Sequence, residues 1–251
     1  MIKQFFIVST GRTATRALAR TRDQIPGQRA THEARPEARD ISNRRWDGDL
    51  SAIEARDWIA ASIERYERLT SPAGVIAGKR GIKRICAAVA HAVSNKYERR
   101  ATIDSNCLTW NFIDLLDEVC QRQIGFIYVY RDAAATIDSM FNSPFYVSQG
   151  SVPWERRAQR GFIDITADGY SEADRLRNCR YGYRIRTERI EAALAQIDRS
   201  RQLLVRFEDL VVRPQAFSEV AAFLSRLSGI AIAEPPQLMH LHQGPTYLRA
   251  A

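Results

Sequence analysis

Cysteine is scarce and unpatterned in this sequence: four residues, Cys86, Cys107, Cys120 and Cys179, with no C-x-x-C pair and no other metal-ligand spacing. That argues against a metal centre and points to reduced thiols in a cytoplasmic protein. Long apolar runs are missing too. The chain passes one Lys and enters a strand-like segment, with no stretch long enough for export or for a membrane span. The nucleoside-triphosphate loop G-x-x-x-x-G-K-[ST] is absent, so no Lys followed by Ser or Thr stands ready in the first loop for a phosphate and a magnesium ion. No internal repeat or low-complexity linker occurs. A formal net charge of +8 and a pI near 9.6 call for an anionic partner. The basic residues are nevertheless scattered, mostly arginine, and form no run interleaved with aromatics. With no zinc-finger or RNP-type motif, a nucleic-acid partner is disfavoured.

What the chain does have is enough apolar content for one substantial core: 251 residues, 45% hydrophobic. The simplest expectation is a single α/β domain over residues 1–251. Strand-like runs lie at Phe5 to Val8, near Gln28 to His32, at Ala101 to Asp104, Ile124 to Tyr130 and around Leu203. Between them fall helical patterns: Leu50 to Leu69, Leu108 to Val119, the segment carrying Ser139, Glu172 to Ile197 and Gln215 to Leu227. Strands alternating with helices predict a parallel sheet with helices on both faces, and ligands in such sheets bind outside the carboxyl ends of the strands.

Two segments at that edge look built to hold phosphate. The first is Phe5-Phe6-Ile7-Val8-Ser9-Thr10-Gly11-Arg12-Thr13-Ala14-Thr15-Arg16. A buried strand runs into a loop of small and hydroxyl residues that opens a helix, whose free N–H groups and dipole attract anions. Thr13 and Thr15 offer hydroxyls; Arg12 and Arg16 offer charge. Read alone, the loop could equally be a capped helix start with solvent-facing arginines. The second segment is Ile124 to Tyr130 followed by Arg131-Asp132, with Ser139 two helical turns beyond Asp132 on the same helix face. Alone, Arg131-Asp132 reads as an internal ion pair. Together the two segments suggest a nucleotide with phosphates at both ends.

These segments resemble sulfotransferases that use 3′-phosphoadenosine 5′-phosphosulfate (PAPS). Gly11-Arg12-Thr13-Ala14-Thr15-Arg16 falls on that family's P-K-x-G-T-T loop for the 5′-phosphosulfate, with Arg12 at the lysine and Thr15 at the first threonine. Arg131 to Ser139 matches its R-[DN]-P-x-x-x-x-x-S stretch for the 3′-phosphate, and Leu203 to Leu210 is similar to its late strand ending in Y-E-D-L. Ala14 replaces a glycine, Arg16 a threonine and Ala133 a proline. The basic C-terminal clamp of the cytosolic eukaryotic branch has no match, so the likeness is to the bacterial and carbohydrate-modifying branches. The resemblance implies a P-loop nucleotide-kinase-like α/β fold, PAPS as cofactor with 3′,5′-adenosine bisphosphate as product, and no metal.

It also implies the site. Gly11, Arg12, Thr13, Ala14, Thr15, Arg16, Arg131 and Ser139 would bind the cofactor, and Arg12 would neutralise the leaving phosphate. Carbohydrate-sulfating branches place a catalytic glutamate near Glu33; His32 would orient it or stand in for it, and pairing of Glu33 with Arg29, Arg35 or Arg39 is the plainer alternative. Lys79 is either an extra cation or part of a solvated loop. His91 reads as a helix-surface residue, and His240 and His242 lie in the tail. Phe145, Tyr146, Trp154, Phe162, Tyr170, Tyr181 and Tyr183 would line an acceptor pocket or form core. The acceptor, a small molecule, sugar or lipid bearing a hydroxyl or amine, stays open. Two other classes compete: a nucleotide-dependent small-molecule kinase, and a non-catalytic anion- or nucleic-acid-binding module.

Overall fold

The computed structural model describes residues 1–11, 13, 18, 19, 22, 25–32, 100–105, 109–111, 113–120, 122–142, 169–212 and 214–233. Five strands among them form one sheet: β1 (Gln4–Val8), β2 (Gln28–His32), β3 (Ala101–Ser105), β4 (Ile124–Tyr130) and β5 (Gln202–Arg206). The order is β2-β3-β1-β4-β5, and every neighbouring pair is parallel. The helices are α1 (Ile113–Val119), α2 (Ala133–Phe141), α3 (Glu172–Leu194), α4 (Phe207–Val212) and α5 (Pro214–Ser228). This is the α/β arrangement expected from the sequence, with β1 at the centre.

Central parallel strands are covered on both faces and therefore read as apolar runs. All five residues of β1 are buried, as are the first six of β4. Alternation then divides the residues between the faces. Phe5 and Ile7 join a cluster with Phe217, Val220, Phe223 and Leu224 of α5, and the Phe5 ring meets Phe223 edge-on at 5.8 Å. Phe6 turns the other way, toward Phe126 at 6.2 Å. On the same side as Phe126, Tyr128 borders α3; burial, then the neighbouring Tyr183 and Glu191, raises its phenol above the ordinary value. Gly125 pairs with Phe5 across the sheet. A Cβ there would stand 2.7 Å from the Phe5 ring, so glycine is what lets that ring pack closely against β4.

Helix ends depart modestly from the sequence expectation. The segment expected to be helical to Ile197 leaves the α-form after Leu194. Gln196 and Ile197 bond back three residues instead of four, and Asp198 caps a 3₁₀ turn at Arg199–Arg201 by accepting from the Ser200 N–H. The segment expected as one helix from Leu108 contains a 3₁₀ turn at Thr109–Asn111 before α1. The helix expected over residues 50–69 lies outside the described residues. Among the described residues, no helix is long and apolar enough to cross a membrane.

Topology fixes where a ligand would sit. After β1 the chain leaves toward β2, and after β4 it leaves toward β5, although β1 and β4 are hydrogen-bonded neighbours. The connections diverge there, which opens the crevice at the carboxyl edge that such sheets use for binding.

Candidate functional site

The described parts of the two segments singled out for anions follow neighbouring strands at that edge. Val8 is in register with Tyr128, so the loop after β1 and Arg131 after β4 spring from adjacent strands about 4.8 Å apart. Ser9, Thr10 and Thr13 are buried. Gly11 has φ of 92°, in the left-handed region where a side chain is strained. Its N–H donates to Ser9 Oγ at 3.2 Å, and the Thr10 carbonyl accepts from Arg186 at 2.9 Å. The hydroxyls of Thr10 and Thr13 are buried and make no hydrogen bond to the protein. A buried unsatisfied hydroxyl costs about 1–3 kcal/mol, a cost that an anion in the loop would remove. On that count the loop fits a phosphate group. Arg12, Ala14, Thr15 and Arg16 lie outside the described residues.

At the second segment Asp132 caps α2 by accepting from the Ala135 N–H at 2.9 Å, and does not pair with Arg131. Arg131 is instead turned toward α4: its guanidinium lies 5.0 Å over the Phe207 ring, and its Nε is 4.0 Å from Glu208 Oε1. Glu208 Oε1 also accepts from the Asp132 N–H at 3.3 Å, while Oε2 accepts from Arg206 Nε at 3.1 Å. An internal carboxylate therefore shares the helix start where an anion would be drawn. Ser139 lies further along α2, half-buried.

Of the proposed general bases, His32 is the last residue of β2, in register with Ser105 of β3 at the same edge of the sheet. Glu33 lies outside the described residues, as do Lys79, His91, His240 and His242. Of the aromatic set, Tyr170, Tyr181 and Tyr183 are described. All three are half-buried; Tyr170 Oη accepts from Asn178 at 3.4 Å, and Tyr181 lies beneath the Arg184 guanidinium. Phe145, Tyr146, Trp154 and Phe162 lie outside the described residues. No group of three or more His, Cys, Asp or Glu among the described residues is arranged to hold a metal ion.

Two residues of the site escaped the sequence reading. Glu208 stands in a stretch that drew attention, but nothing local ties it to Arg131. Arg186 did carry a signal. The buried stripe of α3 runs Cys179, Gly182, Arg186, Ile190, Ala193 and Leu194, so this arginine occupies a core position of the helix.

No protein-family profile matches the chain, and no curated protein matches it. Solved structures to which it is similar include a sulfotransferase domain from the curacin biosynthetic pathway, at 15% identity over 88% of this chain and 73% of that one, with a TM-score of 0.48. Another is a sulfotransferase domain from the Synechococcus PCC 7002 olefin synthase, at 19% identity over 88% of this chain and 72% of that one, with a TM-score of 0.48. Similarity this remote leaves the function to be argued from the chain's own residues.

Proposed function

We propose that this protein is a sulfotransferase that takes PAPS as donor and transfers its sulfuryl group to a hydroxyl or amine of a small-molecule, sugar or lipid acceptor, in a single domain spanning residues 1–251. The observation that carries the reading is the adjacency of two anion elements on neighbouring strands. One is a glycine turn with buried, unsatisfied threonine hydroxyls after β1; the other is Arg131 at the start of α2, after β4.

PAPS, when bound, supplies the activated sulfuryl group and a 5′-phosphate that leaves. In this reading Gly11 turns the loop, Thr13, Ala14 and Thr15 cradle the 5′ end with backbone N–H groups and hydroxyls, and Arg12 and Arg16 flank it. Arg12, permanently charged and a poor proton donor, balances the charge that builds on the departing phosphate. Arg131 and Ser139 hold the 3′-phosphate. Glu33, the residue after β2 in the sequence, takes the proton of the attacking acceptor, with His32 orienting it or taking its place. A transferred group that carries little charge of its own can be managed by arginines and threonines at this edge.

The test is a transfer assay with labelled PAPS against a panel of phenols, sugars, amines and lipids. Label should pass to one acceptor class, and Glu33→Gln should slow turnover by about 10²–10⁴-fold with cofactor affinity unchanged. Label transfer from ATP to the same acceptors, with none from PAPS, would replace this reading with a kinase.

A further inference from the structure

We propose that Arg186 is a positioning residue of the first anion loop: from the buried stripe of α3 it clamps the Thr10–Gly11 peptide and so presets the loop for a 5′-phosphate. The identity of that ligand rests on the PAPS reading; the clamp does not.

A trans peptide is planar, with its carbonyl and N–H on opposite sides. Here one peptide unit is gripped at both edges. Arg186 Nη1 donates to the Thr10 carbonyl at 2.9 Å, and the Gly11 N–H donates to Ser9 Oγ at 3.2 Å. Such a plane cannot rotate without breaking one bond or the other, and its orientation fixes the entry into the Gly11 turn at φ of 92°. The clamp itself is rigid. Arg186 is only 6% exposed, its guanidinium lies 5.8 Å over the ring of Trp110, and Trp110 is 4% exposed. Helix α3 thus reaches a loop 176 residues away in sequence.

Two consequences follow for the ligand. The Gly11 N–H is committed to Ser9, so an anion must be met by the loop beyond it, where the buried Thr13 hydroxyl makes no hydrogen bond. A permanently charged, planar guanidinium also stands at the root of that loop, bonded to the Thr10 carbonyl. Arg22 offers the contrast: it is buried completely and also holds a backbone carbonyl, but that carbonyl is Phe217 in α5. The same device there braces a helix.

The experiment compares Arg186→Met and Arg186→Lys with the natural protein in two ways. Amide hydrogen exchange resolved at Gly11 should run about tenfold or more faster in Arg186→Met, while the amides of Phe5 to Val8 keep their rates. Titration with adenosine 5′-phosphate should weaken about tenfold or more, titration with adenosine 3′-phosphate should not change, and Arg186→Lys should recover part of the loss. Unchanged Gly11 exchange in either folded variant overturns the clamp, as does an equal loss for both nucleotides, which would mark a general structural defect. If Arg186→Met does not fold, the lysine variant carries both measurements, since it keeps the charge but loses the planar fork. If the natural protein binds neither nucleotide, the PAPS reading fails, and the exchange rates still decide the clamp.

Discussion

An arginine stands at each end of β4, Arg201 from the turn before β5 and Arg131 just after β4 itself, and the two are held in different ways. At the amino end Arg201 grips Asp117 with both terminal nitrogens, Nη2 standing 3.0 Å from Oδ2, and Nη1 also donates to the carbonyls of Arg122 and Ile124 at 3.2 Å. Both side chains of that pair are largely buried, at 13% and 12% exposure. At the carboxyl end the Arg131 guanidinium lies 5.0 Å over the Phe207 ring, with its Nε 4.0 Å from Glu208 Oε1. A forked arginine enclosed by carboxylate and carbonyls is a staple between α1 and the strand starts. Glu208 also accepts from the Asp132 N–H and from Arg206, so it keeps two partners when Arg131 turns to an incoming phosphate. Residue type alone does not separate structural from functional arginines in a chain this basic.

The largest effect expected from this contrast is on stability. Arg201→Met leaves Asp117 without its partner in a mostly buried setting and should cost about 3–5 kcal/mol, read as a drop in the denaturant midpoint. Nucleotide affinity in the folded fraction should stay as it was. Arg131→Ala should do the reverse: near-normal unfolding, but a loss of about 1.5–3 kcal/mol in binding of 3′,5′-adenosine bisphosphate by calorimetry. Ser139→Ala should show a smaller loss in the same titration. Glu208→Gln sharpens the point, since it removes the competing negative charge at Asp132 and Arg131. That variant should bind the bisphosphate at least as tightly as the natural protein, and weaker binding would make Glu208 a support for Arg131 and not a rival.

Smaller effects come from regions far from the crevice. Ser171 and Asp174 form a reciprocal cap at the start of α3, and the hydrogen bonds from the Ser171 hydroxyl and N–H hold the Asp174 carboxyl below its usual range. A carboxyl depressed in the folded state adds stability above its unfolded pKa of about 4 and loses it as pH falls through the folded value. The melting temperature of Ser171→Ala should therefore lie slightly below that of the natural protein at neutral pH, with the gap closing in acid. At the end of α1, burial first and Asp117 second push the Cys120 thiol up to about 12. Peptide mapping after iodoacetamide at pH 8 should find this cysteine unmodified in the folded protein.

Much of the fold was legible in the sequence because parallel strands covered on both faces announce themselves. Phe5-Phe6-Ile7-Val8 and Ile124 to Tyr130 had nowhere to go but the middle of a sheet, and the alternation with helical segments made that sheet parallel. Helix ends were less legible. Whether residues 195–201 continue α3 or tighten into a 3₁₀ turn turns on Asp198 capping Ser200, a choice among nearly equal local bonds. The positions of the anion segments could be read as well, since a glycine–hydroxyl loop after an apolar strand is a local pattern. Their supports could not. Glu208 reaches the Asp132 N–H across 76 residues and Arg186 reaches Thr10 across 176, and no local spacing encodes contacts of that kind. For Arg186 a hint existed in a charged residue falling on the buried stripe of an otherwise arginine-rich, solvent-facing helix.

The central claim is that the crevice between β1 and β4 holds a nucleotide phosphorylated at both ends and does so without metal. The direct measurement is the thermal stability of the protein with 3′,5′-adenosine bisphosphate in the presence of a chelator, set against ATP with magnesium. At about 100 times its dissociation constant the bisphosphate should add about 2.7 kcal/mol, while ATP-magnesium at the same concentration should add much less. Equal stabilisation by the two, or none from the bisphosphate, would contradict the assignment.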